Sequence, residues 1–536
     1  MHPKIKAVFI LFPILFPIVG LAQSVALNPY AEGYLYDAKR KEPIPFATIK
    51  VKGWAKGVIT NRNGSFRIPK KFAEYNDTLI ASSMGYDSKT FSLGQMMDTE
   101  LNVFFLEPHV YGLEETVVYG KKKKRRSARA IAGKAIRAIP ENYPNQLFSI
   151  TGYYRDYQWH ESDYLNLNEA ILSIYDQGFE SKDVQSTEFA LHTILVNENF
   201  PRDTISSRPY DYEEGNKTIA MAHLDAYGGN ELRILRVHDA IRNYEVSTYS
   251  FVYRLKGQFL NHHKFKRGRD IFLDDEAFYN IAFTKSQNGY TALGHFLIDK
   301  GNFSIYKMSY SLFFEDVGAT AKNRVDSSKK KLIFEVTSEY SPFGDGMYLK
   351  YITFNNSFHL PEPPRFFAKE LLVEIDKRRL ALRFNSPVHK QKSLSVSNYR
   401  LEFFGKPLPV KKVFFDTSDS STVFILPLFK NQREELDFYA YFQRNQGNKK
   451  AGEKLFCQLK NITDTEGNLV NKIYDYKEYQ QFREFFTQEV QQGFELPDPA
   501  FLMDMNRPIF EGQPLREKDD LENYWMNTPL KAIPQE

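Results

Sequence analysis

Short runs of alternating apolar and polar residues, each ended by a turn signal, recur along most of this chain. Phe278, Asn280 and Ala282 alternate with Tyr279, Ile281 and Phe283. Ala292–Asp299 and Phe303–Ser311 flank Lys300-Gly301-Asn302, which reads as a hairpin loop. Lys331–Tyr340 and Met347–Asn355 form another pair across Ser341–Gly346. A period of two puts successive side chains on opposite faces of a strand, so these runs predict antiparallel strands joined by turns, not βαβ units. The aromatic content of 15% agrees, because aromatic rings fit pleated, half-buried surfaces. The same rings also suit ligand grooves and interfaces. The expected class is mainly β, and 536 residues allow about three or four domains.

Charge and cysteine use narrow the functions. The 71 basic residues nearly balance 66 acidic ones, leaving +5, without the clustered excess a nucleic-acid binder needs. Cys457 is the single cysteine, which excludes an intrachain disulfide and a multi-thiolate metal site. It reads as a small apolar filler. Residues 1–22 read as a signal peptide. Lys4 and Lys6 precede an uncharged run from Ala7 to Leu21, and Gly20-Leu21-Ala22 sets small residues before a mature start at Gln23. The run falls short of the roughly 20 residues of a membrane span, although an uncleaved anchor is the alternative. No cysteine stands near the cleavage point to carry lipid, and no later segment is apolar enough to span as a helix.

Residues 31–118 contain about seven short strand-like runs, the pattern of a β-sandwich. Asn61-Arg62-Asn63-Gly64 connects two of them as a hairpin, since Asn and Gly tolerate positive φ. The segments Gly33–Asp37, Pro43–Ala47, Thr60–Phe66 and Met84-Gly85-Tyr86 resemble, in order, the carboxypeptidase-regulatory-like domain. Leu113–Val118 resembles the segment that follows this domain in Bacteroidota outer-membrane receptors and related envelope proteins. The resemblance implies a transthyretin-like sandwich and an envelope protein of that group. It implies no peptidase activity, because in carboxypeptidases this module sits beside the catalytic domain. Gly64 and Gly85 are expected in turns, and Phe66 and Tyr86 in the core.

Residues 119–140 form a joint. Lys121, Lys122, Lys123, Lys124, Arg125 and Arg126 make a block of like charge, read either as a solvated linker or as a contact for an anionic membrane surface. Ser127 caps a helix over about Ala128–Ala138, and Pro140 stops it. Residues 141–370 read as an antiparallel β domain. Phe148–Arg155, Tyr164–Tyr175 and Ser247–Leu255 are further strands, and Asp225–Asn230 and Arg233–Asn243 are short helices or loops. Asn142-Tyr143-Pro144, Tyr153-Tyr154-Arg155 and Glu169-Ala170 resemble the region after the regulatory module in Bacteroidota envelope proteins. The pair Ala292–Asp299 and Phe303–Ser311 is similar to hairpins of lipoprotein-carrier half-barrels. That likeness implies a concave face able to take an acyl chain; the alternative is an ordinary aromatic core.

Residues 371–472 alternate again, in Leu380–Val388, Asn398–Leu401, Thr422–Leu426 and Leu455–Leu459. With Asn461–Asn468 they resemble the bacterial Ig-like domain of surface-layer proteins. Asp464, Glu466 and Asn468 alternate like weak Ca²⁺ ligands, but Gly467-Asn468 is also a plain turn signal. In the tail, 473–536, Tyr479, Phe482, Phe486 and Val490 fall at helical spacing and predict a helix over Tyr476–Gln491, with an extended, Pro-rich end.

No arranged set of reactive groups stands out. His359-Leu360-Pro361-Glu362 has the spacing of a zinc carboxypeptidase pair, but the last histidine, His389, lies 30 residues on and opens the next domain. There is no HExxH, no GxSxG and no phosphate loop. His160-Glu161 with Asp163 lacks a nucleophile. His262-His263 sits among Lys264, Lys266, Arg267 and Arg269, which would repel a cation, and reads as a solvated loop. Glu169 and Asp176 are candidate general acid and base by residue type alone. No catalytic, cofactor-binding or metal residue is therefore assigned, and no cofactor. The expectation is a non-catalytic protein of the periplasm or outer membrane that binds an envelope protein, glycan or lipid. The alternatives are a lipid carrier or transport accessory, and a hydrolase of peptide or glycan with its site in 141–370.

Overall fold

The computed structural model describes residues 29–530 apart from 54–56, 97–101, 110–125, 209–216, 218, 220–229, 247–251, 274, 316–329, 416–418 and 447–451. The signal peptide, Leu113–Val118 and Lys121–Arg125 lie outside these residues, as do all but Asn230 of Asp225–Asn230 and Ser247–Phe251 of one expected strand. The rest of that strand, Val252–Leu255, is irregular. The protein is mainly β, with several sheets and, among the described residues, no closed barrel. The chain forms two compact units, one of residues 1–116, 272–276 and 527–536, the other of the remainder.

The first unit holds β1 (Tyr30–Asp37), β2 (Thr48–Val51), β3 (Gly57–Ile59), β4 (Ser65–Pro69), β5 (Thr78–Ser82), β6 (Lys89–Ser92) and β7 (Asn102–Leu106). They make two sheets, β4-β1-β7 and β3-β2-β5-β6. Leu35, Ile49, Phe66, Ile68 and Leu79 are fully buried, as alternation within the strands requires. Gly64 turns the chain at φ 76°, and a Cβ there would meet the backbone oxygen of Leu35 at 2.5 Å. Asn61 of the same turn donates to the carbonyl of Asn527 at 3.0 Å, and Asn527 donates to that of Ile59 at 2.8 Å. The segment at Asn527 is thus part of this domain.

The second unit begins with helix α1 (Ala128–Arg137), capped by Ser127 Oγ accepting from Ala130 N at 3.2 Å, and α2 (Ile139–Asn142). Next come β8 (Phe148–His160), β9 (Asp163–Asp176), α3 (Asp183–Ser186), β10 (Glu188–Val196), α4 (Glu231–Val237), α5 (Gly257–His262) and β11 (Lys264–Arg267); the short β12 (Ile271–Leu273) that follows belongs, from Phe272 on, to the first unit. Then β13 (Glu276–Gln287), β14 (Tyr290–Asp299), β15 (Ile305–Glu315), β16 (Lys330–Phe343) and β17 (Gly346–Pro361) run as a meander. A long antiparallel sheet has the order β10-β9-β8-β25-β17-β16-β15-β14-β13-β11, where β25 is Tyr476–Gln492. One face carries a single core. Ile131 and Ile136 of α1, Leu232 and Leu235 of α4, and Phe259 of α5 pack there with Phe283, Phe296, Tyr310, Phe334 and Phe354.

β25 corrects the expected tail helix. It pairs with β17 on one side and β8 on the other. Tyr479 stacks on Phe358 on the core side, whereas Phe482 and Phe486 stack on Tyr157 and Tyr153 of the opposite face. The apparent helical stripe is therefore split between two faces. A central strand buried on both sides loses its clean alternation, so aromatic residues three and four apart imitate a helix.

Residues between β17 and β25 form an insertion. It comprises β18 (Ala368–Glu374), β19 (Arg379–Phe384), α6 (Lys390–Ser393), β20 (Tyr399–Phe403), β21 (Lys406–Leu408), β22 (Val410–Phe415), β23 (Thr422–Pro427), α7 (Gln432–Arg444) and β24 (Leu455–Leu459). Two sheets, β18-β19-β23-β22 and β21-β20-β24, share one core of Phe384, Leu401, Val423 and Ile425, onto which α7 adds Phe438 and Tyr439. At its doorway Glu362 N donates to Asp475 O at 2.9 Å.

Candidate functional site

The ends of β8, β17, β25 and β16 meet along one margin of the long sheet, because the β8–β9 turn falls where β17 leaves for the insertion and β25 returns. Glu161 makes that turn at φ 55°. Here the structure gathers two of the sequence candidates, His160-Glu161 and His359–Glu362. His160 stacks on Tyr479 at 4.6 Å, and its Nδ1 lies 2.8 Å from the carbonyl of Glu478. With Glu362, Trp159 and Lys477 it lines a groove of about 440 Å³. A second groove, of about 370 Å³, is lined by Tyr290, Phe314, Ile333 and Phe358, with Lys331 and His359 among its polar groups.

His359 and Glu478 are register partners on β17 and β25. Glu478 lies 3.8 Å from His359 Nε2 and 3.5 Å from Lys331 Nζ, and Lys331 hydrogen-bonds His359. Burial and the Lys331 charge hold the His359 imidazole below its usual pKa, so it accepts from the ammonium. The group is a partly exposed Lys331–Glu478 ion pair with the His359 imidazole beside it, set against aromatic walls. Of the residues with zinc-pair spacing, Glu362 faces Lys477 at 4.0 Å, and the amide of the next histidine, His389, is bonded to Thr463 in the insertion at 2.9 Å. Asp163 pairs with His160 across the hairpin end.

Behind this margin, on the core face, lies an ionisable cluster that sequence reading missed. Arg483 Nε pairs with Glu231, and its Nη1 donates to Asn356 at 2.8 Å. Asp156 accepts from Asn168 at 3.0 Å and from Tyr154 at 3.1 Å. Burial and the nearby Glu231 raise Asp156 to about 7. Burial lowers Lys217 to about 8. The available signal was a charged pair inside an aromatic run, Arg155-Asp156 in β8 and Arg483-Glu484 in β25. A charge there is buried by its neighbours and needs a partner.

The other candidates brace structure. Glu169 accepts from Tyr153 at 2.6 Å and Asn197 at 3.1 Å. Asp176 is clamped by Arg242 at 2.9 Å and by Arg236. Both Asp464 oxygens are used by the Asn468 turn, at 2.8 and 2.7 Å. The solvated loop expected at His262-His263 is corrected in part. His263 is buried against Phe259 at 4.2 Å, its Nε2 is 3.2 Å from Tyr310 Oη, and burial lowers its pKa to about 4. The apolar contacts available to α5 outweigh the solvation of that ring. Among the described residues no group of three or more metal-type ligands converges, and no helix is long and apolar enough to cross a membrane.

On the opposite face Ser173 Oγ lies 2.7 Å from His192 Nε2 and 2.7 Å from Thr151 Oγ1, and His192 Nδ1 is 3.1 Å from the carbonyl of Arg516. These groups line a polar pocket of about 320 Å³. They form a ladder across β8, β9 and β10, held under a strap from the tail.

Residues 31–118 match the family of the CarboxypepD_reg-like domain, and the N-terminal sandwich is such a domain. No curated protein matches the chain. Among solved structures the chain is similar to a LolA superfamily protein from Nitrosomonas europaea, at 13% identity over 43% of this chain and 86% of that one, with a TM-score of 0.18. A domain described as an outer membrane lipoprotein-sorting protein, from Vibrio parahaemolyticus, gives 9%, 43%, 86% and 0.18. A DUF1329 family protein from Desulfovibrio piger gives 8%, 43%, 87% and 0.20. At such TM-scores these likenesses define no common fold.

Proposed function

We propose that this chain is an exported, non-catalytic binding protein of the cell envelope, and that the margin of the long sheet holds its ligand. One observation carries the reading: Lys331 and His359 stand at a groove walled by Tyr290, Phe314, Ile333 and Phe358. Lys331 is partly exposed and pairs with Glu478 only loosely, at 3.5 Å, so it can exchange that carboxylate for an anionic head while the aromatic trough takes an apolar tail, which suits an amphiphile. The core face, where a half-barrel carrier would take an acyl chain, is filled by α1, α4 and α5. That filling supports a ligand held at the margin and not inside.

The test is titration of the folded protein with a fluorescent anionic lysophospholipid. Saturable binding is expected, and Lys331→Glu should weaken it at least about tenfold through lost and reversed charge. Binding that is absent, or equal in the variant, sinks the reading.

A further inference from the structure

The tip of the inserted sandwich carries an exposed aromatic residue in a backbone conformation that disfavours it. β20 and β21 are joined by two residues, with Phe403 and Lys406 paired across the turn. Both loop residues have positive φ, Phe404 at 50° and Gly405 at 71°. Two positive values are the pattern of a type I′ turn, where Asn-Gly is favoured and a bulky side chain is strained. The ring is only half buried in return, since Phe404 is 51% exposed. Strain combined with an exposed ring points to a use outside the fold.

The surroundings say which use. Phe404 packs edge-on against Tyr441 of α7 at 5.1 Å, and Phe456 on β24 is 59% exposed. Lys454 lies 5.9 Å from the Phe404 ring and accepts the Phe404 amide on its own carbonyl at 2.9 Å. Lys406, Arg444 and Lys454 are exposed. Against them stand Glu453 and Glu402, the latter paired with Arg400 at 3.0 Å. Aromatic rings with a ring of cations match the interface of an anionic bilayer: rings seat at the headgroup level, and lysines snorkel to phosphates.

We propose that this tip, centred on Phe404, docks the protein on an anionic lipid surface. The surface is separate from the ligand grooves, so either can fail without the other. The experiment is co-sedimentation of the full chain with phosphatidylcholine vesicles, with and without phosphatidylglycerol. Binding is expected only with phosphatidylglycerol and is expected to weaken with salt. Phe404→Asn should lower the partition coefficient about tenfold, the loss of one buried ring. The same variant restores an Asn-Gly turn, so its melting temperature should hold or rise, and misfolding cannot explain lost binding. The pair Lys406→Glu with Lys454→Glu should reduce partition more than about twentyfold. Equal binding to neutral vesicles, or unchanged partition in Phe404→Asn, overturns the proposal; the second result would assign any anionic binding to Lys121–Arg126 instead. A lower melting temperature in Phe404→Asn overturns the strain argument on which it stands.

Discussion

Arg155 Nε donates to Glu484 Oε2 at 2.5 Å, and both side chains are buried in the middle of the long sheet, 329 residues apart in sequence. They are register partners on β8 and β25. Tyr157 Oη also donates to Glu484 Oε1 at 3.1 Å. Glu484 raises the Arg155 pKa against the cost of its burial. The pair therefore fixes the register of the last strand as well as joining it.

Breaking that pair should cost more than removing it. Arg155→Met alone leaves a buried carboxylate and should lower stability by about 3–5 kcal/mol. Arg155→Met with Glu484→Leu should cost clearly less than the single change. Urea unfolding of the two variants decides; equal losses would mean the ion pair does not act as a unit.

Asp156 makes stability depend on pH. Its carboxyl titrates at about 7 in the folded protein, against 3.8 for an ordinary aspartate. The folded state then binds the proton more tightly than the unfolded one, so this group's contribution falls as pH rises from about 4 to 7. Lys217, lowered to about 8, acts oppositely, with stability returning as pH rises from about 8 towards its ordinary value. Asp156→Asn should leave the melting temperature near pH 4 little changed and raise it near pH 7.5. A parallel shift at both pH values would remove Asp156 as the cause.

Gly152 permits β8 and β25 to approach. A Cβ there would meet the backbone oxygen of Phe486 and lie 2.6 Å from the Phe485 ring. Gly152→Ala should therefore destabilise by about 1–3 kcal/mol or more, since the contact on one side is backbone. Thermal unfolding of Gly152→Ala, with Gly452→Ala as the open-space comparison, checks it.

The insertion should be removable. Pro361 and Tyr476 are register partners, and Glu362 and Asp475 close the doorway at 2.9 Å. Replacing residues 363–474 by a short Asn-Gly turn should leave a soluble protein with one cooperative transition for the long sheet. Ending the chain before Tyr476 should abolish that transition, because β8 and β17 would each lose a full ladder. A trimmed chain that fails to fold would show that the insertion is needed by the sheet.

The sequence alone carried whatever depends on neighbours along the chain. Alternation located the hairpins around Gly301 and Ser341–Gly346. Ser127 marked the start of α1, and Asn61–Gly64 marked a turn of the regulatory-like domain. These features need only local sterics and a period of two. The tertiary structure alone decided that Tyr476–Gln492 is a strand, that it lies between β8 and β17, and that His160, His359 and Glu478 share one margin. Those facts depend on pairing across more than 100 residues, and on which faces become buried once the partners arrive. Tyr479 and Phe482 read as one helical stripe until β17 and β8 place them on opposite sides of a sheet.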